Sequence, residues 1–126
     1  MILDTNAVSA FADADAGVLR HLEDPSVAIS LPVVVLGEYR YGVKSSRQRA
    51  AREKWLDDLE ANCSVLDITA ETSRVYAEIR HELRQAGQPI PENGLWIAAL
   101  VRQHRLPLLS NDAHFDQVSG IQRLGW

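Results

Sequence analysis

The sequence predicts an α/β fold in which helices cover both faces of a parallel sheet of four to five strands, giving a three-layer α/β/α sandwich. Two observations support this prediction. Short blocks of aliphatic and β-branched residues recur along the chain, and segments with helical apolar spacing lie between them. The 126 residues, 46% of them hydrophobic, suit one domain with a single core, which we take as residues 1–126.

Five short blocks have the composition of strands. They are Met1 to Leu3, residues 27–32 (VAISLP), 64–68 (SVLDI), 106–110 (LPLLS) and the less apolar Gly120 to Leu124. Because helical segments separate these blocks, we expect the strands to be joined by crossover connections and therefore to run parallel.

Helical patterns fill the intervals between the strands. Pro32 is expected to open a helix after the second strand, and a second helix is expected from about Arg47 to Ala61. Thr69 is a plausible N-cap and Gly87 a plausible stop for a third. Residues 95–101 are apolar nearly all round, which predicts a central helix. The stripes of the second and third helices consist of Trp55, Leu56 and Leu59, and of Val75, Tyr76, Ile79 and Leu83.

The start of the central helix contains a glycine that helix propensity does not explain. In IPENGLWIAA, residues 90–99, Pro91 suits the first helical position and Gly94 follows three residues later. A glycine in a helix costs about 1 kcal/mol relative to alanine. Something other than local helix stability therefore determines the residue at this position.

Composition limits the possible partners and compartment. Thirteen basic and 17 acidic residues give a net charge of -4, so any nucleic-acid contact must be local. Cys63 is the single cysteine and cannot form an internal disulfide, and no apolar stretch is long enough to span a bilayer. The start resembles a strand and not a signal peptide. We therefore expect a cytoplasmic protein without membrane contact.

Three acidic residues are expected at one edge of the sheet. Asp4 ends the first strand, Asp112 follows the LPLLS strand, and Glu38 lies about two turns into the helix that Pro32 opens. Functional crevices of open parallel sheets lie beyond the carboxyl ends of the strands. Glu38 follows the apolar run VVVL, so its charge needs a cation or hydrogen bonds. Oxygen ligands without Cys or paired His favour Mg²⁺ or Mn²⁺.

Structural roles are equally open for these acids. Asp4 and Asp112 could be only N-caps or turn residues. Glu38 could be a solvated helix residue, since Arg40 indicates that its face is wet. His114 could join Asp112 and Asp116 in a transition-metal site, but a single His in a polar turn is more typical of a surface residue, and we leave it out.

Four stretches in order resemble a known family. They are ILDTNAVSA at the start, LGEYRYGV at 36–43, IPENGLWIAA at 90–99 and LLSNDAHFDQV at 108–118. Together they resemble the PIN domains, and within them the VapC-type toxins of bacterial toxin-antitoxin pairs, over almost the whole chain. The resemblance implies a PIN-like fold and a Mg²⁺-dependent endoribonuclease of a type II toxin-antitoxin system. It also implies a cognate antitoxin that holds the toxin inactive, and a homodimer.

The resemblance assigns roles to particular residues. Asp4 matches the first acid of the family, Glu38 the second and Asp112 the last, so these three are the implied catalytic and metal-binding residues. The third acid of the family falls on Gly94, which occupies an emptied ligand position. We therefore expect a weakened or inactive enzyme. The implied supporting residues are Thr5, Asn6 and Asn111.

A basic stretch and a set of apolar residues suggest surfaces for RNA and for the antitoxin. KSSRQRAAREK could line an RNA path, or be an ordinary solvated helix face in which Glu53 and Asp57 interleave with the cations. Trp55 is expected in the core and not as a base-stacking platform. The candidate RNA-binding residues are Lys44, Arg47, Arg49 and Arg52. The candidate antitoxin residues, which could equally be core, are Val8, Phe11, Tyr41 and Val43.

Two other functional classes remain open from the sequence. The chain could be a non-catalytic PIN domain that binds RNA or an antitoxin. It could also be a Mg²⁺ phosphatase with Asp4 as nucleophile. The phosphatase is disfavoured because LDTN lacks a second Asp two residues after Asp4 and the chain offers no obvious partner lysine.

Overall fold

The structure is a computed structural model that describes residues 1–126. Its centre is one sheet of five parallel strands, which confirms the predicted three-layer α/β/α arrangement. The strands are β1 (Ile2–Leu3), β2 (Ser30–Pro32), β3 (Ser64–Leu66), β4 (Leu108–Leu109) and β5 (Arg123–Leu124). Their order across the sheet is β3-β2-β1-β4-β5. Each strand is shorter than the apolar block that predicted it.

The strand β1 lies in the middle of the sheet and sets the position of the functional edge. It pairs with β2 on one side and with β4 on the other, and Ile2 is opposite both Ser30 and Leu108. Both of its residues are fully buried. The chain order therefore reverses between β1 and β4, and a crevice is expected beyond the carboxyl ends of these two strands.

Six helices surround the sheet. They are α1 (Thr5–Ala12), α2 (Ala16–Leu22), α3 (Val33–Val43), α4 (Arg49–Ala61), α5 (Ala70–Gln85) and α6 (Glu92–His104), and a 3₁₀ helix covers Ala113–Gln117. The helix α6 contacts both α5 and α3 and buries six residues, as its apolar sequence predicts. None of the helices has the length and apolar character needed to cross a membrane.

The predicted helix ends agree with the structure to within two residues. Pro32 is the N-cap of α3, and Thr69 caps α5 in a capping box with Thr72. Gly87 follows the end of α5 with a φ of 66°, a left-handed conformation that suits glycine. One detail is wrong. Pro91 is the N-cap of α6 and not its first helical residue, which is Glu92.

Two further comparisons with the sequence predictions concern the helix α2 and the position of Trp55. The sequence pattern does not predict α2, because this helix of seven residues buries only Val18. Trp55 is partly buried and packs against the core as predicted, with its ring centroid 5.5 Å from that of Phe11 and 6.0 Å from that of Tyr39.

Candidate active site

An open cleft of about 390 Å³ lies at the carboxyl ends of β1 and β4. The structure brings Asp4, Glu38 and Asp112 together in its lining. Gly94 lines the same cleft from the first turn of α6. Three acids from separate parts of the sequence therefore surround one space, and the glycine borders it.

Asp4 is held firmly at the base of the cleft. Its side chain accepts a hydrogen bond from the Thr5 backbone N–H (2.8 Å), which caps α1, and another from Ser110 Oγ (2.6 Å). Asn6 Nδ2 donates a third at 3.3 Å. The residue is only 6% exposed. Burial raises the pKa of Asp4, the hydrogen bonds from Ser110 and Thr5 oppose this, and the charge of Asp112 adds to the increase.

Glu38 is half-buried and reaches the cleft from α3. Burial is the main cause that raises its pKa, and the nearby charge of Asp4 adds to the effect. The Thr5 hydroxyl and Asn93 lie close enough to favour the charged form. Even so, Thr5 Oγ1 is buried without a hydrogen bond of good geometry. Neither Asp4 nor Glu38 is paired with a Lys or Arg side chain, so both carboxylates lie in the cleft without an ion-pair partner from the protein.

Asp112 is the N-cap of the 3₁₀ helix. Its Oδ1 accepts from the His114 backbone N–H and lies 2.9 Å from His114 Nδ1. Its own N–H donates to Ser110 Oγ at 3.0 Å. Asp4 and Asp112 are therefore both helix caps and cleft residues, so the interpretation as structural caps is compatible with the interpretation as site residues.

The backbone at Gly94 does not require a glycine. This glycine is the third residue of α6, and its φ is outside the left-handed region. A Cβ built there would approach only Ile90 Cδ1, at 3.6 Å, which is an ordinary van der Waals contact. The first turn of α6 therefore has room for a Cβ at this position.

The implied supporting residues divide into two groups. Thr5 and Asn6 line the cleft, whereas Asn111 does not. The Asn111 backbone N–H donates to Asn6 Oδ1 at 3.3 Å, and its side chain accepts from the Trp126 backbone N–H. Asn111 therefore holds the C-terminal residue with its side chain and supports Asn6 with its backbone N–H.

Sequence reasoning missed three residues of the site. Ser110 is fully buried and bridges Asp4 and the Asp112 backbone, while Asn93 and His114 line the cleft. Ser110 follows β4, the neighbour of β1, so the sheet order would have pointed to it. His114 is exposed, as expected of a surface residue, but its contact with Asp112 places it in the site.

The acids do not converge closely in the structure. No three His, Cys, Asp or Glu side chains come together as a metal-binding cluster anywhere in the chain. Two physical effects favour this separation. Like charges repel one another in a partly buried site, and the hydrogen bonds to Thr5 and Ser110 fix both oxygens of Asp4.

Most cations of the basic stretch are paired with acids. Arg49 Nε contacts Glu53 at 2.8 Å, Lys54 contacts Asp58 at 2.9 Å, and Lys44 lies 3.9 Å from Glu53. Such pairs are typical of an ordinary solvated helix face, which is one of the two interpretations of this stretch given by the sequence. Arg52 differs, because its partner is Asp13, beyond the end of α1.

The candidate antitoxin residues differ in how far they are exposed. Val8 and Val43 are core residues, and Phe11 is half-buried against Trp55. Tyr41 is 73% exposed and is the one member of this set that is free to contact a partner.

Comparison with known proteins gives consistent matches over nearly the whole chain. The PIN domain matches residues 1–121. Ribonuclease VapC5 of Mycobacterium tuberculosis is 30% identical over 123 residues, covering 94% of this chain and 87% of that protein. Ribonuclease VapC2 of Rickettsia felis is 31% identical over 131 residues, covering 99% and 96%.

Solved structures also match this chain over nearly its whole length. The crystal structure of VapBC2 from Rickettsia felis, bound to a DNA fragment from its promoter, matches with a TM-score of 0.89 and 26% identity over 99% of this chain and 97% of that one. VapBC-1 of Haemophilus influenzae matches with a TM-score of 0.85 at 19% identity, covering 99% and 96%, which shows the shared fold.

Proposed function

Since the chain belongs to the PIN-domain family, we propose that it is a VapC-type ribonuclease, the toxin of a type II toxin-antitoxin pair, which cleaves RNA internally. One observation carries this proposal. The three acids that match the family's positions line a single cleft at the point where the strand order of the sheet reverses. The relatives named ribonuclease VapC cover most of the chain, which supports the same activity.

We propose Mg²⁺, or Mn²⁺ in its place, as the cofactor. The three acids do not form a ready-made ligand cluster, but the donors in the cleft are of the type that suits a hard cation. They are oxygens, burial raises the pKa of Asp4 and Glu38, and neither carboxylate is paired with a Lys or Arg side chain. Asp4, Glu38 and Asp112 would hold the ion. When bound, such an ion supplies Lewis-acid polarisation of a phosphodiester and acidification of water.

The protein's own side chains would bind and orient the RNA. Asn6 and Asn93 place amide N–H groups beside the acids, and His114 places an imidazole there. Amide and imidazole N–H groups can donate to the oxygens of a phosphodiester. Asp4, fixed by Thr5 and Ser110, would keep its position as the substrate enters.

Gly94 is expected to weaken this site. Three acids supply about three negative charges instead of four, so one Mg²⁺ that keeps several water ligands fits better than two. The space beside Gly94 would admit an aspartate. The same glycine favours the second candidate function, a non-catalytic domain that binds RNA or an antitoxin.

The test is cleavage of single-stranded RNA with Mg²⁺ and with excess chelator. We expect slow, chelator-sensitive cleavage by this chain, and at least about a tenfold faster reaction by Gly94→Asp, because one well-placed charge changes a rate by that order or more. Gly94→Ala is the matched control, since it adds the Cβ without the charge, and it should not be faster. Cleavage that resists chelator, or that Asp4→Asn leaves intact, would contradict the proposal. If neither the chain nor Gly94→Asp cleaves RNA, the non-catalytic function stands.

We also propose an antitoxin as protein partner and a homodimer as the state of the free toxin. The support for the antitoxin is the likeness to VapBC complexes, such as that of Rickettsia felis. Exposed Tyr41 on α3 is the candidate contact in this chain. Purification of the chain alone and with the protein encoded beside it, followed by light scattering, tests both points.

A further inference from the structure

A second groove opens directly beside the cleft. Thr5, Ser9 and Glu38 line both, so the two spaces are continuous. The groove has a volume of about 310 Å³ and lies between the end of α3 and the start of α4. We call it the α3–α4 groove. Its other lining residues are Tyr39, Gly42, Val43, Ser46 and Arg52.

The α3–α4 groove contains both of the unpartnered buried side-chain oxygens of the chain. Thr5 Oγ1 and Tyr39 OH are buried without a hydrogen bond of good geometry, although Thr5 lies close to Glu38 and Tyr39 lies close to Arg52, and both residues line this groove. Leaving a buried hydroxyl unpaired reduces the stability of a fold, so two such groups at one place are unexpected in a purely structural region. Both oxygens are closed off from the groove surface, so Tyr39 would act on a ligand through its neighbour Arg52.

Arg52 supplies a positive charge at the same groove. Its side chain is 28% exposed, and its Nη2 lies 3.0 Å from Asp13 Oδ1. Asp13 is 62% exposed, and exposed ion pairs are weak, so an incoming anion can compete for the guanidinium. Tyr39 and Asp13 both raise the pKa of Arg52 and keep it charged. Arg49 and Lys54, in contrast, pair with acids of their own helix.

We propose that the α3–α4 groove binds a phosphate of single-stranded RNA next to the one that is cleaved, with Arg52 as its charged contact. The hydroxyls of Ser9 and Ser46 are the neutral contacts, and Tyr39 supports Arg52. A Cβ built on Gly42 meets no atom within 4 Å, so the RNA backbone has room to approach the helix there. This inference rests on the proposed function, because the RNA must pass from the cleft into the groove at Glu38.

The chemistry of the groove favours RNA over an antitoxin segment. A phosphate needs several donors, and a guanidinium together with hydroxyls provides them. Helical protein segments need a broad apolar surface, whereas the groove has few apolar side chains, Tyr39 and Val43 among them, and both of these are buried.

The test is binding of a short mixed-sequence, fluorescently labelled single-stranded RNA, measured by anisotropy in chelator so that no cleavage occurs. We expect Arg52→Gln to weaken binding about tenfold and to reduce the slope of log K against log salt by about 0.7, the value for one lost contact to a single strand. Arg49→Gln, an arginine of the same helix outside the groove, should leave both quantities unchanged.

Two further variants separate ligand binding from folding. Tyr39→Phe removes a buried hydroxyl that lies beside Arg52 without a hydrogen bond of good geometry, so we expect an unchanged or higher thermal midpoint together with weaker RNA binding. Asp13→Asn frees Arg52 from its ion pair and should tighten RNA binding. A structural role for these residues would not move stability and affinity in opposite directions.

The outcomes distinguish this inference from the function on which it rests. If the unmodified chain binds the RNA but Arg52→Gln and Arg49→Gln bind equally well, the groove is not an RNA subsite and the proposed nuclease is unaffected. The same conclusion follows if Arg52→Gln loses affinity for the antitoxin and not for RNA. If the unmodified chain binds no RNA at any salt concentration, the proposed function itself fails.

Discussion

At the scale of single residues, Asp4 serves the fold and the cleft at once. One of its oxygens caps α1, and the other is bound by Ser110 from the far end of the chain. Its burial raises its pKa, so the folded protein without metal binds a proton there more readily than the unfolded chain does.

The raised pKa predicts a pH-dependent stability. A group whose pKa is higher in the folded state stabilises the fold at low pH, and this contribution is lost as the pH rises from its unfolded value, 3.8, through the folded one. We therefore expect the thermal midpoint in chelator to fall from mildly acidic to neutral pH, and to fall less in Asp4→Asn. Differential scanning fluorimetry at several pH values measures this. An equal fall in both proteins would show that Asp4 does not cause it.

Ser110 provides a second prediction for the same cluster. Its hydroxyl donates to Asp4 Oδ2 and accepts from the Asp112 N–H, and the residue is fully buried. Ser110→Ala should lower the free energy of unfolding by about 1–3 kcal/mol, because buried partners are left unpaired. Urea unfolding measures the change, and Ser45→Ala, an exposed serine, should lie within about 0.5 kcal/mol of the unmodified chain.

Gly94 provides a third residue-scale prediction. Gly94→Asp adds a charge to a cleft that already holds three carboxylates, and the repulsion between unit charges reaches about 4 kcal/mol at 4 Å and an effective dielectric of 20. The loss of a helical glycine and an acid near the helix N-terminus each oppose this by about 1 kcal/mol or less. We expect a lower thermal midpoint than that of the unmodified chain in chelator. A higher midpoint for the aspartate would mean that the acids are too far apart to interact.

The sequence predicts the three acids of the site better than the residues that form hydrogen bonds with them. Asp4, Glu38 and Asp112 follow from strand ends and one apolar helix. Gly94 stands out because its cost in a helix is known from general propensities. The roles of Ser110 and His114 depend on which strands are neighbours and on a 3₁₀ turn, and neither is encoded in a local pattern.

At the scale of elements, apolar periodicity predicts helices that bury a continuous face and misses those that do not. The helices α5 and α6 bury a face and are predicted, whereas α2 buries only Val18 and is not. The paired strand segments have two or three residues, so the apolar blocks that predict them extend into loops and helix starts. Strand order depends on long-range pairing, which one sequence alone does not reveal.

Two glycines provide a matched test of the backbone conformations within α3 and just after α5. A Cβ on Gly37, in the middle of α3, meets no atom within 4 Å, so Gly37→Ala should raise the free energy of unfolding by about 0.5–1 kcal/mol. Gly87 has a φ of 66°, so Gly87→Ala should lower it by about 1 kcal/mol. Urea unfolding of both variants checks the opposite signs. Equal effects would contradict the assigned backbone conformations.

At the scale of the whole molecule, a net charge of -4 and an acidic cleft disfavour a polyanion. In this account the divalent cation and Arg52 provide the local positive charge that RNA needs. The reversal of strand order at β1 and β4 brings the acids from distant parts of the chain to one edge. The position of the cleft is thus a property of the topology, while its chemistry depends on a few side chains.

The central claim is that Asp4, Glu38 and Asp112 share a divalent cation beside the space at Gly94. Calorimetric titration with Mn²⁺ of this chain, Asp4→Asn and Gly94→Asp tests it most directly, independently of RNA cleavage. We predict weak binding of one ion by the chain, about tenfold or more tighter binding by Gly94→Asp, and loss of binding by Asp4→Asn. Equal binding of Mn²⁺ by all three proteins would contradict it.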